Sequence, residues 1–211
     1  MRKTSMTAIV SVIVSITALM VPILIGRDGS PKTRAATIST FTDKRDGQVY
    51  RIVQVGGQTW FAENLNYEAE GSVCYKNSAD SCAKYGRRYN WETALKACPA
   101  GTHLPSDKEW TALVDYAGGK EKAGMKLKST SGWYNNGNGT DKYGFSALPD
   151  DYDSDLYSAG KFGYWWSATE SDTTHAWGRF IHFYDKFVAR NDYYKASPFS
   201  VRCVQNKEGE Q

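Results

Sequence analysis

Residues 97–110 read ACPAGTHLPSDKEW, and they contain the clearest helix-start signal in the chain. Ser106 can accept hydrogen bonds from the first turn of a helix, and Glu109, three residues later, can bind back to Ser106, which is the capping-box pattern. Apolar residues then follow at helical spacing: Trp110, Leu113, Val114 and Ala117. The sequence therefore predicts a helix that begins after Ser106 and ends at residues 118–119, which are both glycine.

The residues on either side of this segment indicate the fold class. Asn90 is a favourable N-cap, so residues 91–97 are predicted to form a second helix. Strand patterns occur at residues 48–55, 58–62, 164–169, 177–183, 187–190 and 199–205. A Gly-Gly pair at 56–57 predicts a hairpin turn, and residues 119–163 show no sustained period. The order predicts an α+β fold, with two helices beside small antiparallel sheets and a long irregular loop region.

Composition excludes two broad classes of protein. Aromatic residues make up 14% of the 211 residues, whereas a disordered chain would be poor in them. The formal net charge is only +3, and the lysines and arginines are scattered along the chain. This distribution gives no electrostatic track for nucleic acid, so no nucleic-acid partner is expected.

The N-terminal residues predict export. Arg2 and Lys3 precede residues 7–26, which contain no charged side chain. Such a segment partitions into a bilayer with its basic end on the cytoplasmic side. It fits either a cleaved signal peptide or an uncleaved membrane anchor. The predicted organisation is an export segment at 1–26, a linker at 27–40, one domain at 41–205 and a tail at 206–211, with the domain outside the cytoplasm.

Four cysteines lie beyond the export segment, at positions 74, 82, 98 and 203. An even count in an oxidising destination predicts disulfides, and four cysteines allow three pairings. We favour Cys74 with Cys82, which closes a short polar loop, and Cys98 with Cys203. The histidines do not neighbour the cysteines at zinc-ligand spacing, so zinc is not expected.

Several ordered motifs resemble those of the Fibrobacter major paralogous domain family. They are residues 46–50 (DGQVY), 60–65 (WFAENL), 97–110 (ACPAGTHLPSDKEW), 144–149 (GFSALP), 164–170 (YWWSATE) and 200–204 (SVRCV). Together they extend over residues 41–205. The resemblance implies a C-type-lectin-like fold in a cell-surface or secreted domain, often linked to adhesion. It also supports the Cys98–Cys203 pairing, because lectin-like domains connect their first helix to their last strand.

A calcium site is one candidate in the loop region. The Glu-Pro-Asn and Trp-Asn-Asp triplets of sugar-binding C-type lectins are absent from the sequence, but four carboxylates lie close together at Asp150, Asp151, Asp153 and Asp155. Leu156 and Phe162 occupy the positions where an EF-hand loop needs Gly and Glu, so that motif is excluded. Either a different calcium site or a solvated acidic loop fits the run; no other cofactor is expected.

Aromatic residues in the loop region are candidates for ligand stacking. We predict that Trp133 and Tyr134 are exposed between glycine- and asparagine-rich flanks and that Tyr152 and Tyr157 assist them. Asn136 and Asn138 would bind sugar hydroxyls. The same rings can instead pack inward and hold an irregular loop. At least two of the strand tryptophans, Trp165, Trp166 and Trp177, are expected in the core.

The sequence favours a binding module over an enzyme. The oxidase chemistry of the related formylglycine-generating enzymes needs two reactive thiols, whereas all four cysteines here have a structural role to fill. No Gly-x-Ser-x-Gly elbow or phosphate loop occurs. The hypothesis is an exported domain that binds a polysaccharide or a surface protein. The alternative is a structural surface component without a small-molecule ligand.

Overall fold

A computed structural model describes residues 39–149 and 160–207 of the chain. Within these residues it contains four α-helices and two five-stranded sheets. The helices are α1 (Ala79–Tyr85), α2 (Trp91–Ala97), α3 (Asp107–Tyr116) and α4 (Lys120–Leu127). The α+β class predicted from the sequence is confirmed.

The first sheet contains the N-terminal strands and the end of the chain. Its strands are β1 (Ser39–Thr42), β2 (Val49–Val55), β3 (Gln58–Phe61), β5 (Thr102–His103) and β10 (Val204–Gln205), in the order β1-β2-β3-β10-β5. Strands β2 and β3 form the predicted hairpin, and Gly56 in its turn has a φ of 62°, which favours glycine. Strand β1 begins at Ser39, inside the segment that we predicted to be linker.

The second sheet is built around a three-stranded antiparallel meander. Its strands are β4 (Arg88–Tyr89), β6 (Phe162–Glu170), β7 (His175–His182), β8 (Ala189–Tyr194) and β9 (Phe199–Ser200), in the order β4-β9-β6-β7-β8. The predicted strand at 199–205 is two strands, because the chain leaves the second sheet after Ser200 and joins the first at Val204. This crossing connects the two sheets.

The two predicted helices are confirmed with their caps. The Asn90 side chain accepts a hydrogen bond from the backbone N–H of Thr93 at 2.9 Å. Ser106 and Glu109 form both halves of the capping box. In addition, the Glu109 carboxylate lies 2.8 Å from Nε2 of His103, which attaches the start of α3 to strand β5.

The prediction of only two helices was wrong. Helices α1 and α4 begin without a side-chain cap, so the sequence signal that marks α3 is missing from both. Helix α4 also contains Gly124, which lowers its helix propensity. A Cβ at this position would lie 2.5 Å from the carbonyl oxygen of Phe187, so the glycine lets the backbone of the β7–β8 connection approach the helix. The segment predicted to be irregular therefore starts with a helix.

The core contains the strand tryptophans on both faces of the second sheet. Trp165 is 1% exposed and packs toward Trp110 of α3, with ring centroids 6.4 Å apart. Trp166 is fully buried on the other face and donates its indole N–H to the Tyr89 carbonyl at 2.9 Å. Trp177 is only half-buried. The expectation that at least two of these tryptophans are core residues is confirmed.

Both predicted disulfides are present. Cys74 pairs with Cys82 across α1, and Cys98 at the end of α2 pairs with Cys203 beside β10. No cysteine of the chain is free. Because such bonds persist in oxidising compartments, the pairing indicates a protein that folds outside the cytoplasm. Among the described residues, no helix is long and apolar enough to cross a membrane.

Candidate functional site

Trp133 is a core residue, which corrects the prediction that it is exposed. It is only 4% exposed, and its indole N–H donates to the carbonyl of Ala147 at 3.0 Å. The amine of Lys128 lies 5.3 Å from the centre of its ring. The acceptor, Ala147, lies 14 residues further along the chain. The polar residues that flank Trp133 therefore do not predict whether it is buried. An indole in this position has no free face for a ligand.

The two predicted asparagines differ in their surroundings. Asn138 uses its side-chain oxygen to accept the backbone N–H of Trp133 at 3.0 Å, so it holds the loop that buries the tryptophan. Asn136 is exposed and has a φ of 58°, a left-handed conformation that asparagine tolerates. Tyr134 is 51% exposed, and its predicted exposure is confirmed.

Tyr134 lies at one end of a series of ring contacts on the surface. Its ring meets Phe183 edge to face, with centroids 5.3 Å apart. Phe183 in turn contacts Tyr184 at 5.1 Å and His182 at 4.6 Å. Tyr184 is 69% exposed and stands edge-on to His182 at 3.8 Å. Exposed rings from the loop and from the β7–β8 turn therefore meet at one place.

The series continues along the second sheet. His182 contacts Phe162 at 4.3 Å, and Phe162 stacks on Tyr164 at 5.9 Å. Tyr164 contacts Phe180 at 5.7 Å and Tyr193 at 5.8 Å. These ring residues, except the buried His182, are half-exposed. We call the whole set the aromatic surface: Tyr134, Phe162, Tyr164, Phe180, His182, Phe183, Tyr184 and Tyr193.

Strand register explains why these rings share one face. Phe162 pairs with His182, and Tyr164 pairs with Phe180, so four rings at alternate positions of β6 and β7 point the same way. At the far end of this face, Trp91 of α2 binds the carbonyl of Ser167 and covers the sheet. The sequence carried a signal for the site in the alternating aromatics of residues 162–164 and 180–182. Phe162 lies in the stretch predicted to be irregular, and residues 164 and 180–182 are predicted only as parts of strands.

The buried amine of Lys128 holds the β7–β8 turn through hydrogen bonds. Lys128 is 1% exposed, and its ammonium donates to the carbonyls of Phe183 at 2.8 Å and Asp185 at 3.0 Å. His182, 7% exposed, lies 3.8 Å from the Asp185 carboxylate. Burial lowers the pKa of His182, Asp185 opposes this shift, and Lys128 and Lys161 add to it. The imidazole is therefore neutral at pH 7 and acts mainly as another ring of the surface.

Lys128 makes the stability of the fold depend on pH. Burial lowers the pKa of its amine from 10.5 to about 8, against the opposite effect of Asp185. Between these values the unfolded chain binds one more proton than the folded chain, so stability rises with pH. We expect the free energy of unfolding to increase by about 1–2 kcal/mol from pH 8 to pH 9.5. Urea titrations at several pH values measure this slope.

Two variants test whether Lys128 is the source of the slope. Lys128→Met removes the titrating amine and should reduce the pH dependence in this window. Lys142→Met removes an exposed amine and should leave the slope unchanged. An equal slope in the wild type and in Lys128→Met would assign the effect to other groups.

A second surface feature is an open cleft of about 830 Å³ beside the Cys74–Cys82 loop. Its charged residues Arg87 and Glu68 pair with each other at 3.0 Å. The guanidinium of Arg45 lies 3.7 Å from the centre of the Tyr67 ring and covers that face. The ion pair and one face of the Tyr67 ring are therefore occupied, and Asp46, which also lines the cleft, accepts the backbone N–H of Gln48. The aromatic surface is the stronger candidate.

Some predicted site residues fall outside the described residues. These are the acidic run, Asp150, Asp151, Asp153 and Asp155, the tyrosines Tyr152 and Tyr157, and the export segment at 1–26. Within residues 39–149 and 160–207, no group of three or more His, Cys, Asp or Glu side chains is placed to hold a metal ion. Calcium binding by the acidic run stays a prediction.

Comparison with known proteins gives one match. The family model of the Fibrobacter succinogenes major domain matches residues 53–205. No curated protein and no solved structure matches the chain. The matched range includes both disulfides, α1 to α4 and most of the aromatic surface's strands.

Proposed function

The chain belongs to the Fibrobacter succinogenes major domain family, since the family model matches more than half of its length, and we propose that it binds polysaccharide through the aromatic surface. In this proposal the protein is an exported cell-surface or secreted binding domain with a role in adhesion, and not an enzyme. The observation that carries it is the unbroken series of ring contacts from Tyr134 to Tyr164.

The chemistry of sugar rings supports this assignment. A pyranose ring has apolar C–H faces, which pack on aromatic side chains, and a rim of hydroxyls, which need polar partners. Tyrosine supplies both an apolar ring and a hydroxyl. Tyr134 and Tyr184 are the most exposed members of the surface, at 51% and 69%. A continuous group of rings that ends in two exposed tyrosines is typical of a binding site.

The proposed location and fold rest on the disulfides and the architecture. Two disulfides support folding in an oxidising compartment. A C-type-lectin-like fold is the more specific description that we propose for the domain. The bond from Cys98, at the end of α2, to Cys203 near the C-terminus supports it, as do the two mainly antiparallel sheets.

The candidate catalytic groups have structural partners. All four cysteines are in disulfides, which leaves no thiol for oxidase chemistry. The Glu109 carboxylate binds Ser106 and His103, and although burial alone raises its pKa, these hydrogen bonds lower the pKa to about 2. Such a carboxylate is a weak proton acceptor. These pairings support a binding role.

Binding to a polysaccharide panel tests the proposal. The oxidised full chain is titrated with soluble neutral and acidic polysaccharides, and the dissociation constant is measured by calorimetry. Tyr134→Ala and Tyr184→Ala should each weaken binding about tenfold, because each removes one ring from the ligand contact. The double variant should weaken it about a hundredfold.

Two tyrosines of matched exposure provide the control. Tyr116 is 56% exposed and Tyr194 is 67% exposed, and neither belongs to the aromatic surface. Tyr116→Ala and Tyr194→Ala should keep the wild-type affinity. Equal losses in both pairs, or no binding across the panel, would contradict the proposal. If no polysaccharide of the panel binds, the alternative of a structural surface component is favoured instead.

A further inference from the structure

From the charges beside the aromatic surface, we infer that its ligand is an anionic polysaccharide, one that carries carboxylate or sulfate groups. This inference rests on the proposed function and narrows its ligand class. It depends on two lysines beside the surface and, among the described residues, on the single carboxylate near them.

Lys161 is the first of these lysines. It immediately precedes β6, and its ammonium lies 5.1 Å from the centre of the Tyr134 ring. The backbone carbonyl of Lys161 accepts the N–H of Phe183, which fixes the base of the side chain beside the β7–β8 turn. A cation is therefore held next to the exposed tyrosine that we propose as a stacking residue.

Lys186 is the second. It is exposed two residues after Tyr184, and its backbone carbonyl accepts the N–H of Met125 in α4. In the described part of the chain, neither Lys161 nor Lys186 forms an ion pair with a carboxylate. The buried ammonium of Lys128 adds positive charge beneath the same turn.

Among the described residues, one carboxylate lies close to these lysines. Asp185 follows Tyr184, but its side chain is only 17% exposed, and its oxygen faces the imidazole of His182 at 3.8 Å. It therefore neither pairs with the two surface lysines nor presents its full charge to solvent. Around this turn, the three lysines therefore outnumber the carboxylate among the described residues.

Three other cations on or beside β7 and β8 are compensated. Arg179 and Arg190 both bind the Asp107 carboxylate, at 2.6 Å and 2.9 Å. Lys195 pairs with Glu170 at 3.2 Å. Lys161 and Lys186 have no such carboxylate partner among the described residues, and they lie beside the aromatic surface. Rings that stack on sugars beside unpaired ammonium groups match a polymer with regularly spaced anionic groups.

A pair of polymers with one backbone tests this inference. Polygalacturonate and its carboxyl-reduced, neutral form are titrated against the oxidised full chain at low and high NaCl. Polygalacturonate should bind at least about tenfold more tightly at low salt, and the difference should shrink at high salt, because exposed charges are screened. The neutral form should show little salt dependence.

Charge-neutralising variants locate the effect. Lys161→Gln with Lys186→Gln should weaken polygalacturonate binding about tenfold and leave binding of the neutral polymer unchanged. The matched control is Lys76→Gln with Lys84→Gln, since these ammonium groups lie 5.1 Å and 4.7 Å from tyrosine rings outside the aromatic surface. This control should bind polygalacturonate like the wild type.

The outcomes separate this inference from the proposed function. Equal affinity for both polymers overturns the anionic ligand and leaves polysaccharide binding intact. If neither polymer binds, and no other polysaccharide of the panel binds, the proposed function itself is overturned. Binding of polyglutamate as tight as that of polygalacturonate, and unaffected by Tyr134→Ala with Tyr184→Ala, would point to an acidic protein and overturn the inference.

Discussion

Arg202→Met is expected to lower the free energy of unfolding by about 3–5 kcal/mol, because it removes a donor from several buried acceptors. Arg202 is fully buried, and its guanidinium donates to Oδ1 of Asn64 at 2.7 Å. It also donates to the carbonyls of Phe61 at 3.2 Å and Phe145 at 2.5 Å. These contacts hold strand β3, the 145–146 loop and the crossing between the sheets together.

Two opposing effects determine the size of this loss. Burial lowers the pKa of the Arg202 guanidinium to about 9, so the buried charge is itself costly and its removal recovers part of that cost. The carbonyls of Phe61 and Phe145 stay buried, however, and a methionine side chain offers them no N–H, whereas Asn64 keeps the indole N–H of Trp165. Leaving buried polar groups without partners costs about 1–3 kcal/mol for each group. The loss of hydrogen bonds therefore outweighs the relief of desolvation.

Arg190→Met is the matched control for this prediction. Arg190 is 42% exposed and binds Asp107 at the surface, where an ion pair contributes about 0–1 kcal/mol. The two variants make the same chemical change in different surroundings. Urea unfolding, with the m-value checked for constancy, measures both. Similar small losses in the two variants would mean that water or a shifted backbone replaces the guanidinium of Arg202.

Sequence alone was sufficient where the signal is local or covalent. Ser106 and Glu109 predicted α3 because a capping box needs only residues three apart. Asn90 predicted α2 for the same reason. The pairing of Cys98 with Cys203 came from an even cysteine count and was supported by a resemblance over most of the chain.

The sequence was insufficient where the surroundings of a residue depend on a partner far away along the chain. Trp133 is buried and donates its indole N–H to the Ala147 carbonyl. No residue close to Trp133 in the sequence predicts that contact. The aromatic surface depends on the register of β6 against β7, and register is a property of the pair and not of either strand. The role of Arg202 was likewise not predicted, because the carbonyls that accept its hydrogen bonds lie 57 and 141 residues away in the sequence.

Removal of the Cys98–Cys203 bond should have the other large effect on stability. The bond closes a loop of 105 residues, whereas the Cys74–Cys82 bond closes one of 8. In the chain-entropy description, the longer closure contributes about 4–5 kcal/mol and the shorter about 2–3 kcal/mol, because the unfolded chain loses more freedom to the longer one. Cys98→Ala with Cys203→Ala should therefore lower Tm by about 10–20 °C.

The double variant Cys74→Ala with Cys82→Ala is the matched comparison, with an expected fall in Tm of about 5–10 °C. Both double variants remove two cysteine side chains and one disulfide bond, so differential scanning calorimetry compares the loop lengths directly. The Cys98–Cys203 bond lies where the chain crosses from the second sheet to the first, next to Arg202. Its loss should also weaken the coupling of the two sheets, whereas loss of the Cys74–Cys82 bond should act locally around α1. Equal falls in Tm would rule out loop closure as the cause and would assign the stabilisation to local packing at each bond.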